Sequence, residues 1–171
     1  MTHSIKTQGH GECNRTMKNF YKKGITIIEV LVVIAVVGII VSVVIPQFAK
    51  TRENQVLKSG VQDILSSIDK ARTQTLSSLN SSEYGVHFQS DKVIIFKGKV
   101  FPAGASDNET ISITTPASIT NVTLGGVSGI SGDMYFNRLS GSPSTTGTIT
   151  ISTANYSKII TISATGIASM N

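Results

Sequence analysis

Residues 22–46 read KKGITIIEVLVVIAVVGIIVSVVIP, and this stretch decides the architecture of the chain. The apolar run from Ile25 to Ile45 is 21 residues long. At about 1.5 Å of rise per residue a helix of that length reaches about 31 Å, enough to cross a bilayer core of about 30 Å. Thr26, Glu29 and Ser42 are its polar interruptions. An ionisable group within such a segment is expensive in lipid and points to a function. Lys22 and Lys23 precede the run, and positive charge on that side places it in the cytoplasm, so the C-terminal part faces outward.

Other apolar N-terminal segments fit less well. A plain signal anchor has no need of Glu29. A secretory signal peptide has a shorter apolar core, followed by a small-residue cleavage site, whereas this run leads into Ile45-Pro46-Gln47. A lipoprotein needs a cysteine just after the run, and the chain's single cysteine is Cys13, before it.

The Lys-Lys-Gly, the acid five residues past Gly24, the span and the closing proline together resemble the class III signal of type IV pilins and type II secretion pseudopilins. The resemblance implies cleavage by a prepilin peptidase between Gly24 and Ile25 and methylation of the new N-terminus at Ile25. It makes Glu29 the assembly residue and Pro46 the site of a helix kink. Ala35 and Gly38 also fall where family members often carry those residues. Ile25 stands where the family usually has Phe or Met.

Removing 24 residues changes the electrostatic picture. The leader holds Lys6, Arg15, Lys18, Lys22 and Lys23 against Glu12, and the remainder carries 10 basic and 9 acidic residues. The basic character therefore belongs mostly to the leader, and a nucleic-acid partner is not expected of the mature chain. Cys13 leaves with the leader, so no disulfide closes the exported domain, as it does in many major pilins; this favours a minor pilin, a pseudopilin or a lineage that avoids disulfides. Met17 offers an internal start that gives a compact basic leader, MKNFYKKG.

Past Pro46 the helical pattern resumes. Leu57, Val61, Ile64, Leu65 and Ile68 share one face, and Asn80-Ser81-Ser82 ends the pattern. A single long helix is expected from Ile25 to about Leu79. Beyond it Thr, Ser, Gly, Ile and Val dominate. Strands are expected at 84–89, 92–97, 110–114, 118–124, 133–137, 148–152 and 158–163, with loops at 102–109 and 125–132. The fold class is α+β, a long helix packed on a mostly antiparallel sheet. The domains are a leader (1–24), a transmembrane or filament-core helix (25–45), its amphipathic half (46–80) and a β-rich head (81–171).

A second, shorter-range resemblance lies in the head. Ala71-Arg72, Tyr135-Phe136-Asn137, Gly141, Gly147-Thr-Ile-Thr-Ile, Lys158-Ile-Ile-Thr-Ile and Gly166 resemble the GspH/FimT-type domain of minor pilins and pseudopilins. DNA-binding members of that group carry arginines beside the terminal glycine. Here Gly166 is followed by Ile167-Ala168-Ser169-Met170-Asn171, so DNA uptake by this subunit alone is not expected.

No enzyme constellation emerges. His87 has no Cys or His neighbour in its strand, and Asp107 and Glu109 fall far short of the six to eight oxygens a calcium ion takes. The serines lack a nearby base and orienting acid. Gly125-Gly126 and Gly129 read as loop glycines. No cofactor or metal is expected. The expected partners are prepilin peptidase, other pilin or pseudopilin subunits, the inner-membrane assembly platform and, before assembly, membrane lipid. The expected location is the cytoplasmic membrane, single-pass, and then the filament. The reading from a different class is a membrane-anchored extracytoplasmic binding domain that does not polymerise.

Overall fold

The computed structural model describes residues 24–171, and within them not the side chains of 46 and 49. The leader's basic residues, Cys13 and Met17 lie outside the described residues. Two compact units divide the chain, one ending at Val41 and the other running Ser42–Asn171.

One helix, α1 (Ile27–Leu76), begins in the first unit. Thr26 starts it: its hydroxyl accepts the Glu29 N–H at 3.3 Å, and its carbonyl accepts from Val30 N–H. Thr-x-x-Glu is the sequence of a capping box, which satisfies backbone donors the first turn leaves without helical partners. The apolar side chains of this unit are exposed on every side, Ile27 at 84%, Ile34 at 63% and Ile39 at 67%. A helix apolar all round finds its partners in lipid or in other chains. By length and composition it can cross a membrane.

In the second unit α1 becomes a core element. Leu57, Val61, Ile64, Ile68 and Ala71 are buried, the face expected from the sequence period, with Leu65 half-buried against them. The helix stops three residues before Leu79. Ser78, Asn80 and Ser81 all adopt left-handed backbone, and a short 3-10 turn spans Leu79–Ser81.

Among the described residues nine strands follow: β1 (Tyr84–Phe88), β2 (Lys92–Lys97), β3 (Glu109–Ser112), β4 (Ser118–Leu124), β5 (Val127–Gly129), β6 (Gly132–Tyr135), β7 (Gly147–Ser152), β8 (Ser157–Ile162) and β9 (Ala168–Met170). They form two antiparallel sheets, in the orders β3-β2-β1-β6 and β5-β4-β7-β8-β9. The inner residues of both sheets meet the helix in one core. Val86, Phe88, Val93 and Ile95 come from the first sheet, Ile119, Val122, Ile149, Ile151, Ile160 and Ile162 from the second. At Gly60 a Cβ would lie 2.7 Å from Ile151 Cδ1, so helix and second sheet are in close contact there.

Residues 125–132 are not simply a loop. Gly125 and Gly126, at φ 58° and 83°, form the two-residue connection of a hairpin in which Leu124 faces Val127. Two positive-φ residues in succession match strand twist, and Gly-Gly is a preferred pair for that turn. β9 is a further strand beyond those expected; Gly166, at φ 81°, turns the chain back so that Ser163 N–H donates to Ile167 O.

Thr75 fastens the end of the helix to the first strand. Its fully buried hydroxyl donates to Ala71 O at 2.9 Å and accepts the Tyr84 N–H at 2.9 Å. Thr75→Val keeps the shape but strands a buried donor. We expect a loss of about 1–3 kcal/mol in denaturant unfolding, with Thr75→Ser recovering most of it.

Candidate functional site

The segment Gly24-Ile25-Thr26-Ile27-Ile28-Glu29 lies at the head of α1. A Cβ on Gly24 would meet nothing within 4 Å, so folding makes no demand for glycine there. Ile25 precedes the capping threonine and is 75% exposed. A cut between Gly24 and Ile25 would place a free amine one residue before the helix cap. Glu29 sits in the first turn, exposed, where an acid is favoured by the helix dipole. Pro46 falls inside α1, where proline supplies no backbone N–H.

The head contains three further polar arrangements. Arg72 Nε donates to Gly141 O at 3.2 Å across 69 residues of sequence. Gly166 packs on the same spot: a Cβ there would lie 2.3 Å from Gly141 O and 3.0 Å from Arg72 Nε. Ala71, next in line, is fully buried. Three of the positions that carry the GspH/FimT resemblance, Arg72, Gly141 and Gly166, are thus brought together, by the helix, the loop after β6 and the β8–β9 turn.

His87 is not isolated. On the outer face of the first sheet its Nδ1 pairs with Asp133 from the neighbouring strand β6, and its Nε2 lies 2.9 Å from the Gln89 amide. Phe101 stacks on its ring at 4.0 Å between centroids and meets Phe96 edge-on. The arrangement lacks a nucleophile and reads as a small secondary core that holds the 98–108 loop on the sheet. Glu109 pairs with Lys70 at 2.5 Å rather than with Asp107. Among the described residues no group of three or more His, Cys, Asp or Glu side chains could hold a metal ion.

The helix-start residues can be read from a linear pattern. The capping role of Thr26 adds to them, and its signal is the Thr-x-x-Glu before an apolar run. The Arg72–Gly141 and His87–Asp133 pairs carry no local signal, because chain topology alone joins them.

Comparison with known proteins bears on the first of these regions. Residues 19–45 match the model of the prokaryotic N-terminal methylation motif, of which residues 19–23 lie outside the described set. No curated protein and no solved structure matches the chain. The motif match, whose apolar part begins a helix long and apolar enough to cross a membrane, supports a type IV pilin-like protein.

Proposed function

We propose that the chain is a minor structural subunit of a type IV pilus or a type II secretion pseudopilus. In this reading prepilin peptidase cuts after Gly24, Ile25 becomes the methylated N-terminus, and the subunit waits in the cytoplasmic membrane with its head outside. The assembly platform then extracts it into a helical filament. The observation that carries the reading is the methylation-motif match over residues 19–45, on a helix whose apolar surface is uncovered within its own unit. Lipid covers that surface before assembly and neighbouring subunits cover it afterwards. Glu29 then neutralises the Ile25 amine of a neighbour, since a lone charge in an apolar filament core would be costly. Pro46 kinks α1 where the apolar run ends. The finer assignment, to the GspH/FimT type, is supported by the meeting of Arg72, Gly141 and Gly166.

The test is the mature N-terminus. Mass spectrometry of membrane-extracted protein should find a chain beginning at Ile25 and one methyl group heavier than its sequence. An intact leader, or an N-terminus beyond residue 40, would overturn the proposal and favour an anchored domain that does not polymerise.

A further inference from the structure

The β7–β8 hairpin runs alongside α1 toward the end of the apolar run. Ile151, which faces Lys158 in the hairpin, touches the helix at Gly60. At the hairpin tip the Asn155 amide donates to Glu53 Oε2 at 2.9 Å. From Gly60 back to Glu53 the helix covers about 10 Å, and the strand covers about the same from Ile151 to the tip. The two elements therefore keep step, and the tip is level with Glu53.

Glu53 lies eight residues beyond Ile45. That places the tip about 12 Å past the apolar run, of which the lipid headgroups occupy about 5–7 Å. The remainder is shorter than the Debye length of about 8 Å at physiological salt.

From Lys50 to Gly60 the helix carries three basic residues and one acid. Lys50 and Arg52 flank Glu53 on the helix and are both exposed; Lys58, exposed, and Lys158, half-buried on the hairpin, lie nearer the level of Gly60. None of the four is ion-paired among the described residues. The acid among them, Glu53, is held by Asn155. Two aromatic side chains accompany them, Phe48 at 68% and Tyr156 at 37% exposure. Phe48 and Arg52, with Thr51 and Gln55, line one open hollow. Aromatic rings with basic side chains just past an apolar span are the composition of a membrane interface.

We propose that this end of the head is a lipid-docking surface, and that its ligand is the anionic phospholipid surface of the leaflet from which the head emerges. Docking orients the subunit before assembly and is given up on extraction. The proposal rests on residues 25–45 spanning the membrane.

The chain has no tryptophan, so a single reporter can be placed at will. Full-length Tyr156→Trp is reconstituted into vesicles of phosphatidylcholine alone or mixed equally with phosphatidylglycerol, each doped with a headgroup-nitroxide lipid. Quenching of the indole at position 156 should be at least about threefold stronger in the anionic vesicles. High salt, or Lys50→Gln with Arg52→Gln, should return it to the neutral level. Two companions separate the ways of failing. Val36→Trp with acyl-brominated lipid reports the span. Leu139→Trp replaces a side chain that is 88% exposed, two residues from Gly141 at the Leu76 end of the helix, and should stay unquenched. If the reporter at position 36 is quenched and the one at position 156 responds equally to both vesicles or to neither, docking is wrong and the span stands. Quenching at position 139 means general adhesion and also overturns it. An unquenched reporter at position 36 removes the span reading and the docking proposal with it.

Discussion

Glu29→Ala subunits should be cut and inserted like wild type, yet be nearly absent from purified filaments. Neither insertion nor cleavage needs a charge at that position, whereas a neighbour's Ile25 amine in an apolar filament core does. Breaking a buried ion pair by deleting one partner costs about 3–5 kcal/mol, and about 1.4 kcal/mol is a factor of ten. Incorporation should therefore fall at least about a hundredfold. The helix start offers a competing role, because Glu29 stands at the last position of the Thr-x-x-Glu capping pattern, its backbone N–H bonded to the Thr26 hydroxyl. Glu29→Gln separates the two. Gln keeps the capping pattern but not the charge, so under the pairing account it assembles as poorly as Ala. Under the capping account it assembles normally, and the Ala loss itself should not exceed about 1 kcal/mol of helix stability. Immunoblots of sheared filaments against the membrane pool read the ratio directly. Wild-type levels of the Gln variant in filaments would end the pairing account.

The largest effect on folding should come from a single methyl group in the head. Gly147 opens β7 opposite Leu124 of β4. A Cβ there would sit 1.8 Å from Thr123 O and 3.0 Å from Leu124 Cα. These are backbone atoms of a paired strand and cannot swing away as a side-chain end can. Gly147→Ala must break the β4–β7 pairing or push the strands apart, in the middle of the five-stranded sheet. We expect a loss of about 3 kcal/mol or more, and rapid proteolysis of the head. Gly126→Asn, in the same sheet, is the control. It has positive φ but open space, and asparagine tolerates left-handed backbone at small cost. Limited proteolysis of the full chain should cut the Gly147 variant at least tenfold faster and leave the Gly126 variant near wild type. Equal rates would mean that the strand pairing at Gly147 is looser than described.

Much of the fold is legible without coordinates. The spacing of Leu57, Val61, Ile64 and Ile68 identifies the buried helix face, because an amphipathic period is a local property. β2 and β4 fall on their expected bounds, since runs such as Val93-Ile94-Ile95-Phe96 between turn residues leave little choice. β5 and β9 are not legible, because three residues hold too little pattern; their signal is the glycines that turn the chain before them. The division into two sheets is not legible either. β6 pairs with β1, about 46 residues earlier, rather than with a neighbour in sequence. In the candidate site the same divide holds. Gly24, Ile25 and Glu29 form a short linear pattern, so the sequence contains it whole. The Arg72–Gly141 contact exists only once helix and loop have met.

The continuity of α1 has a mechanical consequence. The helix that begins at Ile27 is also the central beam of the head, fastened at Glu53 to Asn155, at Lys70 to Glu109, at Arg72 to Gly141 and at Thr75 to Tyr84. A pull passed on through the second-unit part of α1 is shared among these fasteners and the core between them. A machine that grips only the N-terminal end of such a subunit could haul the folded head behind it intact.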